Sequence, residues 1–326
     1  MLQIVEDREV IDKAEEELRN SLDSFEERKD PILLGGLGWH KTREAHWSKE
    51  LGMWWAYYTV GDRFENAFGV QEPRWDSHYG HSISCVIDVP FEGINRRISG
   101  AFATDDEEMF LLHRGKIGGG RKGIGKSMFF CNYTSDLYSV QDGNVCSIVA
   151  LVGDLDSKRF PIQVANFVHT LQQIKDDYSS GARYSTPPSV ETFKEEFTGK
   201  KAYTIGQVKA ECDHGLVVKE LAEILKSKGF RIANRRPIDL YNIGTNGDIN
   251  SIFEVKTDSE TTDFHTAIGQ LMDYSSGMRK RPKLFAVFPE TLDARFKEVL
   301  EEIGIQLILY KWENDTPLFS HFDIQL

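Results

Sequence analysis

Cysteine is scarce in this sequence. The four residues, Cys85, Cys131, Cys146 and Cys212, are widely spaced among 326 positions and include no Cys-x-x-Cys pair. That excludes a disulfide-stapled scaffold and a cysteine-rich zinc site, and it suits a reducing cytoplasm. Long apolar runs are missing as well. A stretch such as Ile148 to Val152 falls far short of the ~20 residues a membrane span needs, so no membrane association is expected. The first twenty residues are acidic and amphipathic, unlike a signal or transit peptide. Positive charge is in deficit: 39 Lys and Arg against 51 Asp and Glu leave a net charge of −12. This argues against a general polyanion binder, because non-specific affinity for nucleic acid rests on Lys and Arg neutralising phosphates.

Core-forming material is plentiful. Hydrophobic residues make up 40% and aromatics 11%, too much for a disordered chain. At about 100–200 residues per domain the length predicts two globular domains. Residues 5–28 read as a helix, with Val10, Ile11, Ala14, Leu18, Leu22 and Phe25 at spacings of three and four. Its stripe can pack on its own domain or on a second subunit. Residues 36–82 are dense in aromatics; Trp54, Trp55, Tyr57 and Tyr58 stand at helical spacing and read as core, with stacking on an unpaired base as the alternative. From Ser82 to Leu155 the period shortens, and residues 82–89, 96–102, 109–115, 127–133 and 145–153 read as strands between Gly and Asp turns. A helix from Pro161 to Lys175 closes the first domain, 1–175, expected as α+β with an antiparallel sheet. Residues 176–200, rich in Ser, Gly, Pro and charge, read as a linker.

The remaining residues, 201–326, give the clearest pattern. His214–Lys228 is an amphipathic helix stopped by Gly229; strands are expected at 230–236, 238–244 and 251–257, a helix at 264–277, a strand at 283–288, a helix at 292–304 and a strand at 305–312. This is a compact α/β domain.

Its chemistry centres on Asp239 and on Glu254-Val255-Lys256. In a strand, residues two apart share a face, so Glu254 and Lys256 stand side by side while Val255 enters the opposite core. Asp239 lies on the preceding strand, joined by a short hairpin through Asn246-Gly247, and can sit beside Glu254. Two neighbouring carboxylates repel unless a cation lies between them, and hard oxygen donors suit Mg²⁺ or Mn²⁺. An adjacent ammonium can orient or deprotonate an attacking water and neutralise charge on a phosphorane.

Asp, a gap, then Glu-x-Lys on the next strand, in an αβββαβ order, resembles the PD-(D/E)XK nuclease superfamily of restriction endonucleases, recombination nucleases and Holliday-junction resolvases. The segment Ala267 to Tyr274 is similar to the Gln-containing helix of the restriction and RecB-like branches. The resemblance implies a restriction-endonuclease-like core, Asp239 and Glu254 as metal ligands, Lys256 as the catalytic lysine, Gln270 in support and double-stranded DNA as substrate. Pro237 stands two residues before Asp239 rather than directly before it, a small departure from the pattern. RecB-like members add a His from the first helix and resolvase-like members a Glu. With Leu221 at the centre of the apolar stripe, His214 falls about 20° away and Glu220 about 100° away, which favours His214; a merely packed His214 is the alternative.

Positive charge collects between Leu112 and Met128, where Arg114, Lys116, Arg121, Lys122 and Lys126 occur without an acid. A flexible, glycine-rich basic loop of this kind can approach a phosphate chain closely; a solvated surface hairpin is the plainer reading. Gly120-x4-Gly125-Lys126-Ser127 matches a P-loop formally, but the residues after it look strand-like where a P-loop requires a helix. His78, His81 and Cys85, with His40 or His46, carry zinc donors at an irregular spacing. The expectation is therefore a cytoplasmic, Mg²⁺-dependent DNA endonuclease of restriction or anti-phage type, acting as a homodimer that could assemble through the N-terminal helix. A branched-DNA resolvase or repair nuclease, and a non-catalytic nucleic-acid-binding protein, are the alternatives.

Overall fold

The computed structural model of the protein describes residues 1–36, 39–74, 80–105, 108–117, 124–133, 135, 137–179, 205–235, 238–278 and 280–320. They form a mixed α/β structure with several sheets and six helices, divided into two units, Met1–Ile205 and Gly206–Leu326. No described helix is long and apolar enough to cross a membrane.

The first unit opens with β1 (Gln3–Ile4) and α1 (Arg8–Asp23). Asp7 caps α1, its carboxylate accepting from Val10 N–H at 3.1 Å. The buried stripe is Ile11, Ala14, Leu18 and Leu22, packed on Trp55, Phe68, Ile87 and Phe102 of the same unit. Of the two destinations open to this stripe, the helix takes the internal one.

β2 (Arg28–Gly36), β3 (Trp39–Ser48), β4 (Met53–Val60), β5 (Arg63–Gly69) and β6 (Cys85–Pro90) form an antiparallel sheet in chain order. Trp54 and Trp55 thus stand on a strand, and helical spacing was the wrong period for them. Trp55 and Tyr57 face α1, whereas Trp54, Ala56 and Tyr58 join Ile32, Leu34, Ala45 and Trp47 on the other face. With both faces buried, the polar half of a two-residue alternation disappears.

β7 (Gly100–Thr104), β8 (Met109–His113), β9 (Leu137–Asp142) and β10 (Val145–Asp154) close with β1 into a barrel of order β1-β7-β8-β10-β9. Its pairs are antiparallel except β1–β9, where Gln3 aligns with Gln141. α2 (Lys126–Asn132) occupies the segment expected as a strand; buried Met128, Phe129 and Phe130 are consecutive and fix no period. α2 satisfies one P-loop requirement, a helix beginning at Lys126. The strand before it does not fit: β8 lies between two antiparallel neighbours, where a P-loop needs a parallel sheet. α3 (Phe160–Ser179) runs past the expected start of the linker, the rest of which lies outside the described residues.

His113 sits inside this unit. It is fully buried between Phe129 and Phe167, at ring separations of 5.6 and 5.1 Å, and its Nδ1 accepts from Gly115 N–H at 3.1 Å. Burial pushes its pKa down from 6.5 to about 3, and the charges of Lys175 and Lys126 act in the same sense. The folded state keeps the ring neutral while the unfolded chain takes a proton near pH 6.5, so stability is lost as pH falls from there toward 3. Denaturant unfolding of this unit is expected to weaken by about 2 kcal/mol between pH 6.5 and 5, a dependence that His113→Gln flattens.

The second unit consists of α4 (Ile205–Ser227), β11 (Ile232–Arg235), β12 (Ile238–Ile243), β13 (Ile249–Val255), α5 (Thr261–Ser275), β14 (Lys283–Pro289), α6 (Ala294–Glu302), β15 (Ile305–Glu313) and β16 (Thr316–Ser320). Helix α4 starts nine residues before His214, and β16 is an addition to the expected order. The six strands form one sheet, β11 to β16 in order, parallel at β13–β14–β15 and antiparallel elsewhere. Val217, Leu221 and Leu225 of α4 pack with Phe253, Val255 and Phe285 on one face. Phe264, Ala267 and Leu271 of α5, with Phe296 and Leu300 of α6, pack with Ile252, Ala286 and Phe288 on the other.

Candidate active site

The strand period places the central residues. Leu240 of β12 aligns with Phe253 of β13, and both lie in the core under α4. Their neighbours Asp239 and Glu254 therefore turn the opposite way, as does Lys256, while Val255 is buried with α4. Asp239 Oδ2 accepts from Val255 N–H at 2.8 Å, which ties β12 to the end of β13. His214 of α4 brings its Nε2 to 3.3 Å from the same oxygen. Glu220, further along α4, makes no hydrogen bond to the site.

Lys256 stands at the centre. Its Nζ donates to Glu254 Oε1 and to Gln270 Oε1, both at 2.7 Å. Gln270 comes from α5, and its Nε2 donates to Tyr274 OH at 3.0 Å, so the amide oxygen is left to face the ammonium. The backbone of Lys256 is held as well: its N–H donates to Val287 O at 2.8 Å, and Tyr310 of β15 donates its hydroxyl to the Lys256 carbonyl at 3.2 Å. Strand geometry indicated Asp239, Glu254 and Lys256, the family resemblance implied Gln270 and, with the helix period, favoured His214, and the fold brings all five together. Tyr310 had no signal, since it meets Lys256 only because β14 separates their two strands. Pro237 lies outside the described residues.

The two acids sit in opposed electrostatic states. Burial pushes Asp239 up, but the charge and hydrogen bond of His214, the charge of Lys256 and the Val255 N–H together hold it below the usual carboxylate range. Burial and then the negative charge of Asp239 push Glu254 up to about 8. Glu254 is 2% exposed, and its Oε2 has no hydrogen-bond partner. A buried carboxylate oxygen without a donor is costly, and a divalent cation shared with Asp239 would offset that cost. Hard oxygen donors at this position fit Mg²⁺ or Mn²⁺.

Raising a carboxyl pKa on folding makes the folded state the stronger proton binder, so stability falls as pH rises from about 4.5 to about 8. Glu254→Gln removes the titration. In metal-free protein its gain in unfolding free energy over wild type is expected to grow toward pH 8, by at most about 1.4 kcal/mol per pH unit. Added Mg²⁺ should shrink that gain by favouring the ionised wild-type acid.

The basic segment is divided by the fold. Arg114 is buried and paired with Asp142 through Nη1–Oδ2 at 2.5 Å and Nη2–Oδ1 at 3.1 Å. Its expected phosphate-binding role is therefore corrected: the guanidinium holds the barrel together. Lys116 is exposed and donates to the Arg97 carbonyl, and Lys126 is exposed with Nζ 5.4 Å above the Phe130 ring. Arg121 and Lys122 lie outside the described residues. Of the loose zinc set, His78 and the side chain of His40 lie outside the described residues; His81 has other partners, its Nε2 accepting from Arg74 N–H at 2.9 Å while Nδ1 lies 3.2 Å from Leu33 O. Cys85 is buried, which pushes its thiol up to about 12 and out of reach of the thiolate form.

No family model matches the sequence, and no curated protein or solved structure matches it. The chemistry of the site alone supports a functional reading.

Proposed function

We propose that the second unit is a metal-dependent DNA endonuclease with a core resembling the PD-(D/E)XK nucleases, serving restriction or anti-phage defence in the cytoplasm. The observation that carries this reading is Glu254 Oε2, a buried oxygen without a partner, beside a second carboxylate and an ammonium. Asp239 and Glu254 would hold Mg²⁺ or Mn²⁺, which when bound supplies Lewis-acid stabilisation of charge on the phosphate and its leaving oxygen. Lys256 Nζ orients the attacking water and offsets negative charge that develops on the phosphorus oxygens. Gln270 Oε1 and Tyr274 keep that ammonium from swinging away, and His214 holds Asp239 in its ionised form. Cutting both strands of a duplex takes two such sites, so a homodimer on double-stranded DNA is the acting species.

Incubation of the full chain with unmodified and methylated plasmid, with and without Mg²⁺ or Mn²⁺, tests the reading. Nicked or linear product that depends on the metal is expected. Cleavage of branched DNA in preference to plasmid would move the assignment to a resolvase or repair nuclease. DNA binding without cleavage of any substrate would leave a binding module.

A further inference from the structure

A second set of metal donors lies in the first unit. Asp23 ends α1, Glu26 follows in the turn before β2, and His46 is on β3. His46 is 5% exposed, and its Nδ1 faces two carboxylates, with Glu26 Oε2 at 2.5 Å and Asp23 Oδ1 at 3.3 Å. One donor atom from each residue falls within 4.8 Å of the other two. Neighbouring side chains outside the set hold its geometry. Asp23 Oδ1 accepts from Trp55 Nε1 at 3.0 Å and from Tyr57 OH at 3.2 Å, and the Trp55 ring stacks on the imidazole at 5.6 Å. Metal-binding imidazoles and carboxylates are oriented by outer contacts of this kind.

Charge balance favours a cation here. Two carboxylates converge on one imidazole nitrogen, and a dication among the three donors would neutralise both acids. Donor atoms around a tetrahedral ion with Zn-type bond lengths stand about 3.3 Å apart. Asp23 and His46 already have that separation. The Glu26 side chain, 30% exposed, is free to draw back by the fraction of an ångström required. Partial exposure of Asp23 and Glu26, 39% and 30%, leaves a fourth position open to water. One imidazole nitrogen with two carboxylate oxygens suits Zn²⁺ better than Mg²⁺, which prefers an all-oxygen shell.

We propose that Asp23, Glu26 and His46 form a binding site for a zinc-class divalent ion, which fastens the end of α1 to β3. The site is independent of the nuclease reading and would serve stability rather than cleavage.

Zn²⁺ binding by the full chain, carrying Asp239→Asn and Glu254→Gln so that the second unit's acids are disabled, tests this directly. Chelator-stripped protein is titrated with Zn²⁺ against a chromophoric competitor, and its thermal unfolding is followed with and without the ion. One equivalent bound, with an upward shift of the unfolding midpoint, is expected. Adding Glu26→Gln, which keeps a hydrogen-bond acceptor for His46, should weaken binding by at least about tenfold with an unchanged far-ultraviolet spectrum; His46→Gln should do the same. The proposal is overturned by an absence of bound Zn²⁺, or by binding that neither substitution weakens, the result expected if the ion sits on a cysteine or a surface histidine. DNA cleavage is not read in this experiment, so its failure and that of the endonuclease assignment are separable.

Discussion

Lys256→Ala is expected to lower metal-dependent DNA cleavage by about a thousandfold or more while the chain stays folded and still binds DNA. The ammonium joins two elements of the site, with Glu254 of β13 at 2.7 Å and Gln270 of α5 at 2.7 Å. In the proposed reaction its loss removes the charge that would offset negative charge developing on the phosphorus oxygens. It also deprives Glu254 Oε1 of its donor, so that neither oxygen of a nearly buried carboxylate is then paired. Lys256→Arg separates these effects: it restores a positive charge but replaces a compact ammonium by a planar fork that does not fit between Glu254 and Gln270. Retained binding without recovery of cleavage is the expected pattern for Lys256→Arg. Plasmid cleavage by Lys256→Ala at the wild-type rate, measured in single turnover with saturating Mn²⁺, would remove the lysine from the mechanism and move the cleavage away from the site around Asp239 and Glu254.

Arg114→Ala is expected to cost about 3–5 kcal/mol of stability, which lowers the unfolding midpoint on the order of 10 °C. Asp142 is wholly buried. Burial pushes its pKa up, but the hydrogen bonds of Arg114 and Ser147 and the charges of Arg114 and Arg96 keep it below the ordinary range. Without Arg114 the carboxylate retains Ser147 at 2.5 Å and the half-exposed Arg96 at 3.3 Å, too little for a desolvated charge. Replacing both partners, as in Arg114→Leu with Asp142→Leu, should recover a large part of the loss, because no charge is then stranded. A phosphate contact predicts the reverse: unchanged stability, weaker DNA binding and a salt dependence shallower by about one unit. Denaturant unfolding and binding titrations at two salt concentrations distinguish the two roles.

These two arginine and lysine positions also show where sequence reading works. Asp239, Glu254 and Lys256 lie on strands joined by a hairpin, and alternation along residues 252–256 assigns each side chain to a face. Local geometry therefore brings these three together, whereas Gln270 came only from the resemblance of its helix to the Gln-containing helix of the nuclease superfamily. Arg114 depends on a partner 28 residues away across the barrel, and nothing within a short window separates a buried guanidinium from a solvated one. β4 was misread because Met53–Tyr58 is apolar on both faces, and α2 because seven residues are too few to express a helical period. His46 gave no sign of Asp23 or Glu26 as its neighbours, since the turn after α1 and the pairing of β2 with β3 bring them together.

The parallel pairing of β1 with β9 sets the timetable of assembly for the first unit. Gln3 aligns with Gln141, and the Gln141 N–H donates to Leu2 O at 2.9 Å, so the barrel's seam joins segments separated by most of the unit's length. During synthesis at roughly 5–20 residues per second, the opening strand waits on the order of ten seconds for its last partner. Over that interval two unpaired edges are open to other chains, which makes slow translation or a crowded ribosome queue the natural setting for misassembly of this unit. The second unit, whose neighbouring strands follow one another in order, carries no such delay.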